Sequence, residues 1–383
     1  MDKVVVVMPS YNEAANISEM ISELVDREFT KIDGVEMHLL VVDDNSPDGT
    51  GEIVKKAMNT RENLHLLQGE KQGLGWAYIR GFRYAVDKLG ADAVMEMDAD
   101  FQHPPRFVKP MVEAYLAGAD YVIGSRYIKG GSIPKEWALF RKMVSYFGNL
   151  FIRVVLVKPE IHDLTTGFRL TRVKGVLEKI DLEHLMEPTL FAHKVDLLYQ
   201  AIKNSKKVVE VPLEFASRTK EKSKFNSKET LATFKVAIIL GIKDKQRFIK
   251  FGTVGFIGYL VNAILLKLLT LWNAPGFIAW SLPVEVSIIS NFVLNNLWTF
   301  KQEKISGLGN IIKKFLAFNG TSLGALVIQT IAGNIGDRFL GIGYRQILLP
   351  FIILFLVLPY NYFMYNAVIW KTWKLPWNKK SKV

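Results

Sequence analysis

Four apolar stretches of membrane-spanning length follow one another in the carboxyl-terminal part of the chain, and no other feature restricts the fold so strongly. They lie at about 249–271, 277–300, 311–335 and 347–370. A helix needs roughly 20 apolar residues to cross the hydrocarbon of a bilayer, and helices of soluble cores rarely reach this length four times in succession. The pattern predicts an all-α transmembrane domain of four helices within residues 247–383.

Charged and amide side chains interrupt these stretches, at Lys267, Glu285 and Asn295. Polar groups are costly in hydrocarbon, so such residues are candidates for function by default. Hydrogen bonding between neighbouring helices is the alternative reading of the same three residues.

The lysines and arginines around the four stretches are distributed unevenly. Two of them, Arg338 and Arg345, flank one side of the predicted membrane. Thirteen flank the other side: Lys243, Lys245, Arg247, Lys250, Lys301, Lys304, Lys313, Lys314, Lys371, Lys374, Lys379, Lys380 and Lys382. Because basic loops stay on the cytoplasmic side, we expect a multi-pass protein of the cell membrane. Both termini and the first domain would lie in the cytoplasm.

Residues 1–227 are charge-rich and alternate between two kinds of pattern. Helix-like segments lie at about 13–28, 50–60, 74–88 and 105–117. The strand-like segments are Val4–Met8, Met37–Asp43, Leu64–Gln68, Ala93–Met97 and Tyr121–Gly124. Such alternation predicts an α/β domain with a mostly parallel sheet covered on both faces. Sheets of this kind bind ligands outside the carboxyl ends of their strands.

Three of these strand ends carry side chains suited to a nucleotide and a metal ion. Tyr11 follows the first strand and can stack on a base, while Asp44 follows the second and can accept hydrogen bonds from a base or ribose. Asp98 and Asp100 follow a later strand, with the amide of Gln102 close behind. Oxygen ligands of this kind suit Mg²⁺ or Mn²⁺, which would bridge a diphosphate and neutralise the leaving nucleotide.

These motifs resemble those of glycosyltransferase family 2, the GT-A fold of inverting nucleotide-sugar transferases. Within that family the likeness is greatest to the dolichol-phosphate mannose synthases, and it covers about residues 3–228. The segments that carry it are Pro9–Glu13, Val42–Thr50, Gly73–Gly75, Asp98–Pro105, Gly124–Tyr127 and Asp163–Arg169. The run Gln102-His103-Pro104 is typical of the polyprenyl-phosphate branch.

The resemblance implies a role for each matching residue. Asp98 would lie near the sugar and ribose, Asp100 and Gln102 would hold the metal, and His103 beside them is a further candidate ligand. The remaining donor contacts would be Pro9, Tyr11, Glu13, Val42, Asp44 and Ala99. In the family an Arg-x-x-Gly-x-Ser-Lys run closes over the donor. Here that run extends from Arg218 to Lys224, with Glu221 where glycine is usual.

Basic residues are required for phosphate binding. We expect Arg218 and Lys224 to contact the donor, and Arg126, Arg141 and Ser223 to bind the phosphate of the acceptor. A solvated basic loop is the alternative for the run that contains Arg218. A phosphomonoester is largely dianionic at neutral pH and can attack without a general base. The catalytic residues would therefore be Asp98, Asp100 and Arg126, which act by positioning and charge stabilisation.

The acceptor is inferred from what the chain lacks. The Gln-x-x-Arg-Trp signature of processive polysaccharide synthases does not occur, which favours a lipid phosphate. The leading hypothesis is transfer of mannose from GDP-mannose to dolichyl or polyprenyl phosphate with inversion. The same chemistry with UDP-glucose is one alternative, and a lipid-linked sugar translocator with a nucleotide-sensing domain is another.

Two stretches, 137–157 and 228–246, interleave apolar and basic residues. Next to a membrane domain they are predicted to lie in the headgroup plane; ordinary helices packed on the sheet are the alternative. Much of the net charge of +12 lies in these stretches and in the flanks of the spans, and no nucleic-acid-binding motif occurs. We therefore expect the bilayer, and not nucleic acid, as a partner.

The membrane part also resembles a known family, the small four-span proteins associated with translocation of polyprenyl-linked sugars. The segments that carry this likeness are Phe248–Gly255 and Ser290–Phe300.

Overall fold

The computed structural model describes residues 1–217, 227–272, 274, 276–340, 347 and 351–373. It divides the chain into two compact units, Met1–Gly241 and Ile242–Val383.

The described part of the amino-terminal unit is organised around a seven-stranded mixed sheet. Its strands are β1 (Asp2–Ser10), β2 (Val35–Asp43), β3 (Leu64–Gln68), β4 (Ala93–Glu96), β5 (Tyr121–Ser125), β6 (Arg169–Arg172) and β7 (Val208–Pro212). The order across the sheet is β3-β2-β1-β4-β6-β5-β7. β6 runs antiparallel to both of its neighbours, β4 and β5, whereas the other pairs are parallel.

Helices cover both faces of this sheet. They are α1 (Ala14–Ile21), α2 (Thr50–Met58), α3 (Leu74–Asp87), α4 (Val108–Leu116), α5 (Leu139–Leu156) and α6 (His193–Asn204). Successive side chains of a strand point to opposite faces, so Val5 and Val7 pack in the core beneath α3 and α6, while Val4 and Val6 pack in the core beneath α1 and α4. Burial on both faces explains why β1 is a continuous valine run.

The GT-A mixed sheet expected from the sequence is confirmed, and the five predicted strands appear as β1 to β5. β6, β7 and α6 were not predicted. β6 (Arg169–Arg172) has two arginines and a threonine in four residues, and Arg169 and Thr171 are buried. A buried strand of this composition gives no apolar pattern, and its partners lie far away in the sequence.

The described part of the carboxyl-terminal unit is helical. Its helices are α7 (Ser227–Leu271), which begins in the first unit, α8 (Gly276–Leu294), α9 (Leu308–Leu340) and α10 (Leu358–Met364). π-Helical turns extend α8 and flank α10 on both sides, at Asn295–Thr299, Ile353–Val357 and Tyr365–Ile369. Among the described residues, the stretch Lys228–Leu269 is long and apolar enough to cross a membrane by length and composition. The number of spans stays a prediction.

Aromatic rings form the core of this second unit. Phe300 and Trp370 stack with ring centroids 4.2 Å apart, and Phe318 packs against Tyr365 at 4.4 Å. Beside them the amide oxygen of Asn296 accepts hydrogen bonds from Trp370 Nε1 (3.2 Å) and from the backbone N–H of Ile305 (2.7 Å). This buried amide ties three segments of the unit together.

The three polar residues predicted to interrupt the spans differ in burial. Asn295 is 2% exposed, and within the described residues its Oδ1 has no hydrogen-bond partner. Lys267 and Glu285 are exposed on the surface of the unit. Within this unit Asn295 is thus buried and the other two are not, and a functional role for any of the three stays a prediction.

Gly81 in α3 yields a prediction about stability. A Cβ atom there would lie 2.4 Å from Val7 Cγ1 and 2.9 Å from Val42 Cγ2, so Gly81→Ala should destabilise the protein by about 1–3 kcal/mol, as overpacking does. The control is Gly148→Ala in α5, where the nearest atom would be Phe234 Cζ at 3.7 Å; this change should stabilise the helix by up to about 1 kcal/mol. Thermal unfolding in detergent measures both, and an unchanged midpoint for Gly81→Ala would contradict the close packing.

Candidate active site

The loops after β1 and β2 are tied together at one edge of the sheet. The backbone N–H of Asn12 donates to Ser46 Oγ (3.0 Å), and that of Glu13 donates to Thr50 Oγ1 (3.0 Å). The hydroxyl of Ser46 in turn donates to Asp43 Oδ1 (2.5 Å). These bonds hold the first two predicted donor-binding motifs side by side.

Tyr11 and Asp44 lie at this edge in different surroundings. Tyr11 is exposed, and the ammonium of Lys71 lies 3.3 Å from its ring centroid. Asp44 is 7% exposed and pairs with Arg80. Burial raises the pKa of Asp44 although the Arg80 guanidinium opposes that rise. The edge therefore offers an aromatic face beside a carboxylate, which is what stacking and hydrogen bonding of a base require.

Other predicted donor contacts at this edge are backbone positions. Val42 and Ala99 are 0% and 3% exposed, so they can offer a ligand their backbone groups but not their side chains. Pro9 is partly buried next to them in β1. Glu13 accepts a hydrogen bond from Asn16 Nδ2 (2.8 Å) at the start of α1.

The turn after β4 places an acid and an amide together. Asp100 Oδ1 accepts the backbone N–H of Gln102 (3.1 Å), and the two side chains are 8% and 9% exposed. Phe101 between them has a positive φ of 61°, which folds the turn tightly. Among the described residues, no three His, Cys, Asp or Glu side chains group as a metal site. The oxygen donors of Asp100 and Gln102 fit a hard cation whose other ligands come from a bound diphosphate and water.

The buried His103 contacts the backbone of this turn. Its Nδ1 accepts the backbone N–H of Asp98 (3.1 Å), and its ring packs against Phe168 and Phe215. Burial lowers the pKa of His103 to about 4, so the ring is neutral at neutral pH. The hydrogen bond to its Nδ1 supports the backbone of Asp98. Metal ligation by His103 stays a prediction.

Asp98 has two neighbours that the sequence did not suggest. The hydroxyl of Tyr78 donates to Asp98 Oδ1 (3.2 Å), and Lys194 Nζ lies 3.6 Å from the same oxygen. Tyr78 is on α3 and Lys194 is on α6. Neither lies next to a predicted strand end, so only the packing of α3 and α6 against the sheet brings them here.

Arg126, predicted to bind the acceptor phosphate, forms a buried ion pair with Asp163. Its Nε and Nη2 donate to the two carboxylate oxygens at 2.7 and 2.8 Å, and Nη2 also donates to Thr165 Oγ1 (2.7 Å). Burial favours the protonated carboxyl, but the guanidinium outweighs it and keeps the pKa of Asp163 below its usual value. One edge of Arg126 is thus held by the protein itself. Beside Arg126 lies a recess of about 550 Å³, lined also by Tyr127, Tyr146 and Phe147.

A cavity of about 220 Å³ lies within the first unit between α5, α6 and the first turns of α7; we call it the α5 cavity. Its apolar lining includes Ile152, Phe191 and Phe234. Its polar and charged lining residues are Arg141, Ser145, Asn149, Thr165, Lys194, Glu229, Thr230 and Thr233. The guanidinium of Arg141 lies 3.7 Å from the ring centroid of Trp137. The structure thus places the predicted Arg141 in the lining of the same cavity as Lys194, the partner of Asp98. The predicted Arg218, Ser223 and Lys224 lie outside the described residues.

Comparison with known proteins agrees with the fold. Residues 5–178 match the family "Glycosyl transferase family 2", and residues 250–370 match "GtrA/DPMS, transmembrane domain". Dolichol-phosphate mannosyltransferase of Pyrococcus furiosus is 35% identical over 346 residues, which are 89% of this chain and 92% of that protein. Polyprenol monophosphomannose synthase of Mycolicibacterium smegmatis is 37% identical over 250 residues, 64% of this chain and 90% of that protein.

The fold and the acidic strand ends define a nucleotide-sugar glycosyltransferase. The chain belongs to glycosyl transferase family 2, in the group of dolichol-phosphate mannosyltransferases, and it carries the GtrA/DPMS transmembrane domain. The family and enzyme class expected from the sequence are confirmed.

The Arg126–Asp163 pair yields a prediction about stability and pH. Asp163→Asn leaves a buried guanidinium without its countercharge, a change that typically costs about 3–5 kcal/mol. The double variant Arg126→Met, Asp163→Leu should recover part of this loss because no charge is left buried. The pKa of Asp163 is lowered below 3.8 in the folded protein, so the pair stabilises fully above that pH and its contribution disappears as the pH falls further.

Thermal unfolding between pH 3 and pH 7 measures these effects on the wild type and both variants. The wild type should lose more stability towards acid than Asp163→Asn does. Equal acid sensitivity of the two proteins, or equal stability at neutral pH, would show that the pair is not stabilising.

Proposed function

We propose that the protein transfers mannose from GDP-mannose to the phosphate of a dolichyl or other polyprenyl lipid, with inversion at the anomeric carbon. The observation that carries the proposal is the contact between Asp98, at an acidic strand end, and Lys194, which lines the α5 cavity together with Arg141. The names of the relatives, all mannosyltransferases of a lipid phosphate at 35–37% identity, support the same donor sugar and acceptor class.

The donor would occupy the edge formed by the ends of β1, β2 and β4. The base would stack on Tyr11, whose ring is exposed, and would be bonded by Asp44 and by backbone groups near Val42. Guanine suits a carboxylate neighbour because its Watson–Crick edge carries N–H donors. The sugar would lie next to Asp98, and Arg218 and Lys224 would close over the diphosphate.

Asp100 and Gln102 would hold the divalent cation, Mg²⁺ or Mn²⁺. When bound there, the cation supplies charge neutralisation to the departing diphosphate. The hydrogen bond from the Gln102 N–H to Asp100 Oδ1 (3.1 Å) fixes the positions of these two residues relative to each other.

The acceptor phosphate would enter the α5 cavity, where Arg141 and Ser223 with Arg126 would bind it. A phosphomonoester oxygen then attacks the anomeric carbon, forming the new C–O bond. The bond from that carbon to the β-phosphate oxygen breaks at the same time, and GDP leaves. The dianion needs no general base, so catalysis rests on alignment and on charge stabilisation.

The lipid reaches this cavity from a bilayer in our proposal. α5 exposes large apolar side chains, with Leu139 74% and Phe140 69% exposed, and an apolar face with basic neighbours suits the headgroup plane. The stretch 228–246 was predicted for the same plane, but it is the first part of the continuous helix α7, and its residues Val236, Ala237 and Leu240 pack in the core of the first unit. The excess of basic residues on one side of the predicted spans supports a cytoplasmic position for the catalytic domain and both termini.

The donor is tested by incubating the purified protein with polyprenyl phosphate and each labelled nucleotide sugar in turn. We expect label in the organic phase from GDP-mannose and not from UDP-glucose, with the anomeric configuration inverted relative to the donor by NMR. Label from UDP-glucose alone would show that the donor is UDP-glucose and not GDP-mannose. No label from any donor would overturn transfer and favour the translocator reading.

Loss of the Asp100 carboxylate tests the metal site. Asp100→Asn should lower turnover by about 100-fold or more, the scale expected when a group that stabilises developing charge is lost, and it should weaken Mn²⁺ binding in the presence of GDP as measured by electron paramagnetic resonance. The matched control is Asp87→Asn at the exposed end of α3, which should leave both unchanged. Normal turnover of Asp100→Asn at saturating Mn²⁺ would refute the assignment.

A further inference from the structure

Lys194 is a buried lysine next to the donor-side carboxylate. Its side chain is 4% exposed, and its Nζ lies 3.6 Å from Asp98 Oδ1. The rings of Phe191 and Tyr78 flank the ammonium at 4.9 and 5.8 Å from their centroids. Burial of an ammonium is costly without close partners, and 3.6 Å exceeds the 2.7–2.9 Å of a strong charge-assisted bond. The pair therefore holds the ammonium loosely.

The same lysine lines the α5 cavity. Arg141 provides a second cation there, and Asn149 and Thr165 provide an amide and a hydroxyl. The one carboxylate among the described lining residues, Glu229, accepts the backbone N–H of Phe191 through its Oε2 (2.8 Å). Two cations in a mostly apolar cavity match a phosphate monoester attached to an apolar chain.

The backbone opposite Lys194 leaves room for the ammonium. A Cβ atom on Gly167 would lie 2.2 Å from Lys194 Nζ and 3.1 Å from its Cε. Any other residue at 167 would push the ammonium away from its present place. The glycine of the Asp163–Arg169 segment thus fixes where this charge lies.

We propose that Lys194 binds the acceptor's phosphate group together with Arg141, and that it is held by Asp98 until that phosphate arrives. The inference rests on the proposed function and adds a residue to it. In the empty site the ammonium is paired with the Asp98 carboxylate, and in the occupied site Lys194 and Arg141 both face the phosphate dianion. When the ammonium turns to the phosphate, Asp98 Oδ1 keeps the hydroxyl of Tyr78, and a hydroxyl of the donor sugar can take the position that the ammonium leaves. Lys194 thereby couples acceptor binding to the donor side.

Lys194→Met tests the proposal in the full-length protein, with farnesyl phosphate and inorganic phosphate as probes. Loss of a hydrogen bond to a charged group predicts a fall of about 10- to 100-fold in affinity for each probe by calorimetry, because the ammonium contacts the phosphate group that both share. The affinity for GDP should not change. Lys203→Met on the exposed side of α6 is the control. Unchanged affinity for both probes, or a loss for farnesyl phosphate alone, overturns the proposal.

Gly167→Ala is the second variant, because it moves the ammonium without removing its charge. It should raise the KM for farnesyl phosphate in the transfer reaction more than it lowers kcat, and thermal unfolding shows whether either variant is misfolded. If Gly167→Ala leaves this KM unchanged, the position of the ammonium does not matter and the proposal fails. These readouts are separate from the donor assay: failure of the wild type to use GDP-mannose refutes the proposed function, whereas the calorimetric titrations still decide the role of Lys194.

Discussion

The parallel register of β1 with β2 and β4 is the constraint on which the donor side depends. Ser10 is paired with Asp43 and Val7 with Glu96, so the segments after all three strands begin at one edge of the sheet. Both faces of β1 are apolar because it contains four consecutive valines. A shift of β1 by one residue against its neighbours would therefore exchange one apolar face for another. The register must be fixed elsewhere. The close approach of Gly81 to Val7 and the bond from Asn12 N–H to Ser46 Oγ supply that specificity.

Buried ion pairs organise the other half of the site. The antiparallel strand β6 places Arg169 opposite Glu96, 4.0 Å apart, and the segment before it supplies Asp163 to Arg126. Apolar residues of similar size would stabilise a fold as well as such pairs do. Their geometry links segments of the site: Arg169 also donates to the backbone carbonyl of Lys194, and Asp163 also accepts the backbone N–H of Arg126.

The sequence predicted those strands whose apolar pattern is followed directly by a polar motif. β1 to β5 are apolar runs that end in polar motifs, and the positions of Tyr11, Asp44 and Asp100 at one edge of the sheet follow from the strand ends alone. β6 was not predicted because arginine is typical of exposed positions, and the sequence does not identify the partner beside which Arg169 is buried. Lys194 was not predicted as a site residue either. It lies in a helix, and only tertiary packing brings Asp98 and Tyr78 close to it.

The polarity of α5 explains how one unit can serve a water-soluble donor and a lipid. Arg141, Ser145 and Asn149 recur at four-residue spacing and line the α5 cavity, while Leu139 and Phe147 on other sides of the helix are 74% and 56% exposed. A helix that packs on a soluble core has the opposite arrangement, with its apolar stripe inside. Polar groups turned inward favour a polar ligand in the cavity, and apolar groups turned outward favour an apolar medium over the outer face. The proposed lipid phosphate and its bilayer meet both conditions.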